Sequence, residues 1–319
     1  RRTGPKWILG ALVAGCVVVS LKGIAEYGQM RAIDPSWRVF AGWVNQNALA
    51  GMLMLGLFPA LALFVASQRL ERLAWGASAS LIGFCLVLTQ SRGGFLAVGA
   101  GLLFWLIWSL RGRRGKAFLL SSVPLLVVAL MAFGLQASQP KQGASGPLSR
   151  VSQASSTHEH SSGFRKFLWL GTLDLIKTKP TGTGVGTYRW HSAETGRVPQ
   201  THFAHQSYLQ MAAEASPVVL ALFLVALGYW VREVWRPHPT APDPAIILRA
   251  GVVAAVAASC AHNLVDSDWY HYGLGLSFFM LLALGLQLSP DGVGPEVVPT
   301  NLRRPFTLTS GVALVACLG

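Results

Sequence analysis

Charge is scarce in this chain, and negative charge scarcer still. Asp, Glu, Lys and Arg make up 12% of its 319 residues, with 13 acidic against 26 basic side chains. A soluble domain solvates its surface with roughly a quarter of its residues charged, so a water-soluble globule is excluded. Cysteine is also rare: Cys16, Cys85, Cys260 and Cys317 lie far apart, each within an apolar stretch and none at metal-ligand spacing. They read as packing residues, which excludes a disulfide framework. No small-residue cleavage site follows the first apolar run, so that run is not a removable signal peptide. There is no internal repeat either.

What the chain has is apolar surface in long blocks, with 52% hydrophobic residues and a mean hydropathy of +0.46. A run of roughly 18 to 20 such residues crosses about 30 Å of hydrocarbon as a helix, the one open-chain form that satisfies its own backbone where water is absent. The runs at about 7–25, 47–67, 73–90, 93–110, 117–136, 215–231, 246–264 and 272–288 read as eight spans. A ninth begins near Phe306, and since the chain opens at Arg1 and closes inside this run, further spans are expected on either side. The fold class is therefore all-α, a polytopic transmembrane helical bundle. Three regions follow: 1–136 with five spans, a loop at 137–214, and 215–319 with three spans and a truncated fourth.

Basic residues orient the spans, because short cytoplasmic loops carry the excess of Lys and Arg. With the spans alternating, Arg1, Arg2 and Lys6, then Arg69 and Arg72, Arg111 to Lys116, Arg232, Arg236 and Arg249, and Arg303 and Arg304 all fall on one side. That side is expected to be cytoplasmic, which leaves 137–214 outside as a large periplasmic loop. The net charge of +13 is then spent on anionic membrane lipids, and no nucleic-acid partner is expected. Within the loop, 137–162 is rich in Ser, Gln, Gly and Pro, whereas 163–178 places Phe164, Phe167, Leu168, Leu170, Leu175 and Ile176 largely on one helical side. That second stretch predicts an amphipathic helix lying on the membrane surface. A further helix is expected to begin near Thr201 and to run through His205 into the sixth span.

Four polar clusters interrupt the apolar pattern, all on the outer side: Trp43 to Asn47, Thr89 to Gly94, Arg165 to Glu214, and His262 to His271. Arg92 stands between two spans, where it is either an outer anchor or, with Ser91 before it and Gly93 and Gly94 after it, a guanidinium offered to an oxyanion. His202 and His205 are three apart, on one side of the expected helix. No carboxylate or cysteine completes a metal set with them, and imidazole suits a general base. Glu214, nine residues on, falls on the far side of that helix and is not expected to partner His205. The Gly182 to Gly186 stretch mimics a dinucleotide fingerprint but lacks the strand that should precede it. His158, Glu159 and His160 read as a solvated tract. His262, Asn263, Asp266 and Asp268 at a span end are either caps with the anchors Trp269 and Tyr270, or part of a site.

These residues resemble the O-antigen ligase and polymerase group of integral-membrane glycosyltransferases, over about 40 to 288. The resemblance rests on Gly42 to Ala50 (GWVNQNALA), Ser91-Arg92-Gly93, Arg165 with Trp169, Pro180 to Tyr188 (PTGTGVGTY), His205 to Gln210 (HQSYLQ) with Glu214, and a looser match at His262 to Tyr270. The family pattern has His followed by Asn, Ser or Gln and then, after nine further residues, Gly. Here His205-Gln206 fits, while Ser216 followed by Pro217 occupies the glycine position. The resemblance implies a GT-C-like membrane fold and a metal-independent, cofactor-free, inverting transfer of a glycan from undecaprenyl diphosphate. The acceptor would be a hydroxyl of lipid A-core or another glycan, at the periplasmic face of the inner membrane. His205 would be the base, Arg92 and Arg165 the cations facing the departing diphosphate, and Arg38, Lys177, Arg189, Arg197, His202, Gln206, His262 and Asp266 further substrate-binding candidates. An O-antigen polymerase or a protein O-oligosaccharyltransferase would show the same residues. A bicarbonate-like small-anion transporter should instead show broken helices near the bilayer midplane.

Overall fold

Between Ala48 and Ala66 there is no polar side chain. A helix of that composition has no face for water and none to spare for solvent-facing duty, so it is expected to be surrounded by others. The computed structural model, which describes residues 4–34, 36–111, 114–137, 159–236 and 244–288, places it at the centre of an all-helical bundle. In chain order the helices are α1 (Gly4–Met30), α2 (Gln46–Ala66), α3 (Arg69–Thr89), α4 (Arg92–Arg111) and α5 (Gly115–Ala137). Then come α6 (Glu159–Thr178), α7 (Tyr188–His191), α8 (Ser207–Ala215), α9 (Pro217–Val234), α10 (Pro244–His262), a 3-10 turn at Asp268–Tyr270, and α11 (Tyr272–Gln287). Among the described residues there is no strand.

Seven of these helices, α1 to α5, α9 and α10, are long and apolar enough to cross a membrane, which makes the chain a multi-pass membrane protein. The eighth expected span differs. Helix α11 has 16 residues and reaches about 24 Å by helical rise, short of the hydrocarbon thickness. The ninth, near Phe306, and the stretch 138–158 lie outside the described residues, as do the side chains of Glu159 and His160.

α2 packs against α1, α3, α4 and α10. Membrane helices gain little by hiding apolar surface from one another, so close approach through small residues holds them. Gly56 of α2 faces the Cys16 sulfur, Gly101 of α4 faces the Phe58 ring and the Ala254 carbonyl, and Gly251 of α10 faces Ala62 and the Phe58 carbonyl. A methyl group at any of these would collide with its neighbour.

The polar clusters meet at one end of the bundle. Arg38 donates to the carbonyls of Thr89 and Gln90 at 3.1 and 3.3 Å. Ser91 donates to Asn47 at 2.8 Å, Gly93 of α4 faces His262, and Gly51 of α2 faces the Asp268 carboxylate. At the opposite end Lys6 pairs with Glu71 and Arg111 stacks on Trp235.

The helix expected from Thr201 through His205 into the sixth span is not formed. Residues 201–206 are irregular, α8 begins at Ser207, and the chain breaks again at Ser216 before α9. His202 and His205 therefore do not share a helix face. Competing hydrogen bonds explain the late start: the Gln206 side chain caps α8 by accepting from Leu209 N, and the Ala204 N–H goes to Gln210 Oε1 at 3.0 Å. At the break, Ser216 has φ 101 and ψ 156, a region that is almost glycine's alone. This is the position at which the expected family pattern carries glycine, and here a serine takes up a glycine-like backbone conformation. The Ser216 hydroxyl offsets part of the strain by accepting from Val219 N.

Ser216→Gly should therefore raise the thermal midpoint of the detergent-solubilised protein by a few degrees, since relief of about 1–3 kcal/mol of strain exceeds a capping loss of a few tenths. A lowered midpoint would contradict this reading of the break.

Candidate functional site

At the end where the clusters meet, one buried carboxylate gathers an arginine and a histidine. The Asp266 side chain is 4% exposed; His205 Nδ1 lies 3.2 Å from its Oδ1 and Arg165 Nη2 3.7 Å from its Oδ2. His205 and Arg165 are themselves 29% and 27% exposed. Both thus reach from the protected carboxylate toward open surface. Burial alone would push the Asp266 carboxyl up, but the His205 hydrogen bond and the charges of His262, His205 and Arg165 outweigh it and hold the group well below the usual carboxylate range. A carboxylate can only accept, so the proton of the shared hydrogen bond belongs to His205 Nδ1 and the lone pair of a neutral ring to Nε2.

His205 is held there at some cost. Its φ of 50° is left-handed, unusual for a residue with a side chain, and such a backbone persists only where its neighbours fix it. They do. The Ala204 carbonyl accepts from Trp169 Nε1 at 3.1 Å, and Ala204 N donates to Gln210. Beyond the histidine, Ser207 N donates to the carbonyls of Asn263 and Asp266, and Ser207 Oγ to Asn263 Oδ1 at 2.5 Å. The turn after α10 and the start of α8 are therefore bound together on both sides of the His205–Asp266 pair.

Helix α6 supplies Arg165. Leu168 and Leu175 are buried with Tyr188 and Val198 in a small separate core, and the Thr172 and Tyr188 hydroxyls share a hydrogen bond of 2.6 Å. Burial raises the Tyr188 phenol to about 12, so it stays a neutral strut. Phe164, Phe167, Leu170 and Leu173 of the same helix remain exposed, as a helix lying on a membrane surface requires.

A second pair stands behind the first. His262 Nδ1 lies 2.6 Å from Asp268 Oδ2, with side chains 1% and 3% exposed. Burial pushes the Asp268 carboxyl up, against the opposing pull of His262. Two aspartates two residues apart are so driven in opposite directions, Asp266 toward its ion and Asp268 toward its acid. His262 also fixes the start of α4: a methyl group on Gly93 would lie 3.2 Å from His262 Nε2 and 3.0 Å from Val265. Arg92, the first residue of α4, is thereby set beside the 262–266 turn that carries Asp266. Ser91 Oγ caps α4 at Gly94 N, 3.1 Å away.

The remaining expected residues scatter. Arg38 closes the C-terminal end of α3 next to Gln90, within this end of the bundle. Lys177 and Arg197 both bind Asp174, the former at 3.4 Å and the latter at 2.5 Å. Asp174 lies about 13 Å along α6 from Arg165 and on its opposite side. Arg189 stacks over Trp190 at 4.1 Å, and His202 is exposed beside Phe203. Gln206 serves as the α8 cap. Glu214 lies away from His205, as expected: its carboxylate accepts from Gly186 N and Tyr188 N, both at 2.9 Å, while Gly184 N donates to its backbone carbonyl. The glycine-rich stretch is accordingly a wrap around the end of α8, and Gly182 has φ 92 because its α-carbon rests on the Glu214 carbonyl.

Gln210 and Ser207 carry structural weight that nothing in the sequence pattern assigned them, Asn263 and Asp268 were expected only as caps or as part of a site, and Asp266 is the partner of His205 where a cap or a substrate contact was expected. The signal available was coarse: a run of polar residues at a span end on the same side as His205. Among the described residues no group of three or more His, Cys, Asp or Glu is placed to hold a metal.

Residues 77–224 match the family model described as O-Antigen ligase. This segment contains Arg92, Arg165 and His205 and stops short of Asp266. Neither the curated proteins nor the solved structures yield a match to the chain.

The depressed carboxyl of Asp266 predicts a pH signature. A lowered folded value contributes stability above the unfolded value, near about pH 4, and loses it as pH falls toward the folded one. Asp266→Asn should lower the thermal midpoint at pH 7, and the gap from wild type should be constant down to about pH 4 and close below it. A gap that is absent at pH 7, or that widens in acid, would contradict the assignment.

Proposed function

We propose that this chain, whose residues 77–224 match the O-Antigen ligase family model, is a membrane glycosyltransferase of that kind that moves a glycan from undecaprenyl diphosphate to an acceptor hydroxyl of lipid A-core, at the periplasmic face of the bacterial inner membrane. The observation that carries this reading is the convergence of Arg165 and His205 on the buried Asp266. The segment 137–214 and the 262–271 turn would form the reacting surface, and the spans of 1–136 and 215–319 the scaffold beneath it.

The proposed chemistry is a single displacement without a metal or cofactor. The acceptor oxygen attacks the anomeric carbon from the side opposite the diphosphate, the carbon–oxygen bond to the diphosphate breaks with its electron pair, and configuration inverts. The acceptor's proton passes to His205 Nε2. Asp266 orients the ring through Nδ1 and stabilises the imidazolium that results, the role a buried carboxylate plays behind any histidine base. Charge building on the leaving diphosphate would be met by Arg165, which Asp266 holds in place, and by Arg92 at the first turn of α4. The N-terminus of α4 adds a partial positive charge at the same place. His262 and Asp268 hold that helix end against the turn, and Arg38, close to Gln90, extends the basic rim. Lys177, Arg189, Arg197 and His202 lie farther out, where the glycan chains of donor and acceptor would pass, while Gln206, next to His205, holds the start of α8.

Reconstituted with polyprenyl-diphosphate glycan and lipid A-core, His205→Ala should keep its expression and donor binding while transfer falls by about 10²–10⁴-fold, the usual contribution of a general base. Arg165→Ala should weaken donor retention as well as turnover. Unchanged transfer by His205→Ala would refute the assignment. Chain lengthening in place of transfer to lipid A-core would identify the polymerase reading instead.

A further inference from the structure

A different group of side chains, at the end of the bundle away from His205, has no part in that reaction. Arg249 of α10 is 1% exposed, yet a guanidinium is charged at any accessible pH. Its Nη2 donates to the Arg236 carbonyl at 3.5 Å, while Nε and Nη1 are buried with no hydrogen-bond partner among the described residues. A buried charge left this far uncompensated is strongly destabilising.

The neighbours deepen the imbalance. α4 and α10 run antiparallel, with Gly93 beside His262 and Gly101 beside Ala254. Continuing that register brings Trp105 and Ser109 to the level of Arg249. Trp105 is 1% exposed and Ser109 fully buried, and the indole Nε1 and the hydroxyl likewise have no hydrogen-bond partner among the described residues. Indole and guanidinium nitrogens can only donate, and the Ser109 hydroxyl, with two lone pairs, offers too few acceptors for the N–H groups of Arg249 Nε and Nη1 and Trp105 Nε1; what the group needs is a further acceptor.

The surrounding charge fixes the sign of that acceptor. Arg114 sits 5.0 Å over the Trp108 ring and donates its backbone N–H to the Ser109 carbonyl, and Arg111 sits 5.4 Å over Trp235. Among the described residues the one carboxylate that acts on Arg249 is Glu233, which already pairs with Arg236 at 3.2 Å.

We propose that α4, α9 and α10 form an anion-binding site at this end, taking a phosphate group between Arg249, Ser109 and Trp105. The planar guanidinium fork suits phosphate oxygens. The bond from Arg249 to the Arg236 carbonyl brings the guanidinium to the exposed end of α9, where a ligand can approach. Trp108 and Trp235 mark the level of a membrane interface, at which basic pockets between helices take anionic headgroups. By helical rise the site is about 20 Å along α10 from His262, so it is distinct from the reacting end. An anionic phospholipid and free phosphate share this chemistry.

The test uses the purified chain in phosphatidylcholine nanodiscs alone, with phosphatidylglycerol, or with inorganic phosphate, read by thermal midpoint and by native mass spectrometry of retained lipid. Phosphatidylglycerol should raise the midpoint and survive delipidation. Arg249→Gln should bind it about tenfold more weakly, while Arg232→Gln, which changes an exposed arginine on α9, should respond as wild type. A response to inorganic phosphate with the same dependence on Arg249 would identify the free ion as the ligand. Absence of both responses in wild type, or equal losses in Arg249→Gln and Arg232→Gln, would overturn the site. Should Arg249→Gln not fold, Trp105→Phe combined with Ser109→Ala keeps the charge and removes two donors; wild-type binding by that variant would likewise overturn it.

Discussion

A carboxylate sealed from water must be compensated, and at Asp266 that requirement organises the whole end of the bundle. The residue sits on the turn after α10, His205 lies on the approach to α8, and Arg165 is on α6, so one charge binds together three segments that are remote in sequence. Each partner pays for its place. His205 adopts a left-handed backbone, and the bonds to Ala204 and Ser207 on either side of it hold that conformation. Strain kept at one position by hydrogen bonds at its neighbours is what a fixed imidazole requires.

The bundle serves that turn. α2 has no polar face and is surrounded, so its end presents Gly51 directly beneath Asp268, and His262 pairs with Asp268 while pressing on Gly93 at the start of α4. Packing in the membrane thus sets the positions of Asp266 and Arg92 from below. The opposite end of the same helix pair carries a cluster of unsatisfied donors about Arg249, so α4 and α10 connect two polar regions across an apolar middle.

Much of this architecture was legible in the chain, because span length and composition are physical demands of the bilayer that each segment meets alone. Seven helices match the apolar runs, and the polar clusters share one end as alternation of the spans required. Local geometry was less legible. The late start of α8 comes from hydrogen bonds to Gln210, Trp169 and the 263–266 turn, none of which a helical pattern reveals. The pairing of His205 with Asp266 joins residues 61 apart, and only the folded chain brings them together. Conversely, Lys177 and Arg197 were substrate-binding candidates in the same loop as Arg165, yet they serve Asp174 on the other side of α6.

The central claim is that Arg92, Arg165 and His205 face one bound diphosphate. An experimental structure with polyprenyl-diphosphate glycan bound tests it most directly. Phosphate oxygens should lie against the Arg165 and Arg92 guanidinium groups, with His205 Nε2 turned toward the anomeric carbon. A diphosphate seated away from both arginines, with His205 Nε2 facing only lipid or protein, would contradict it.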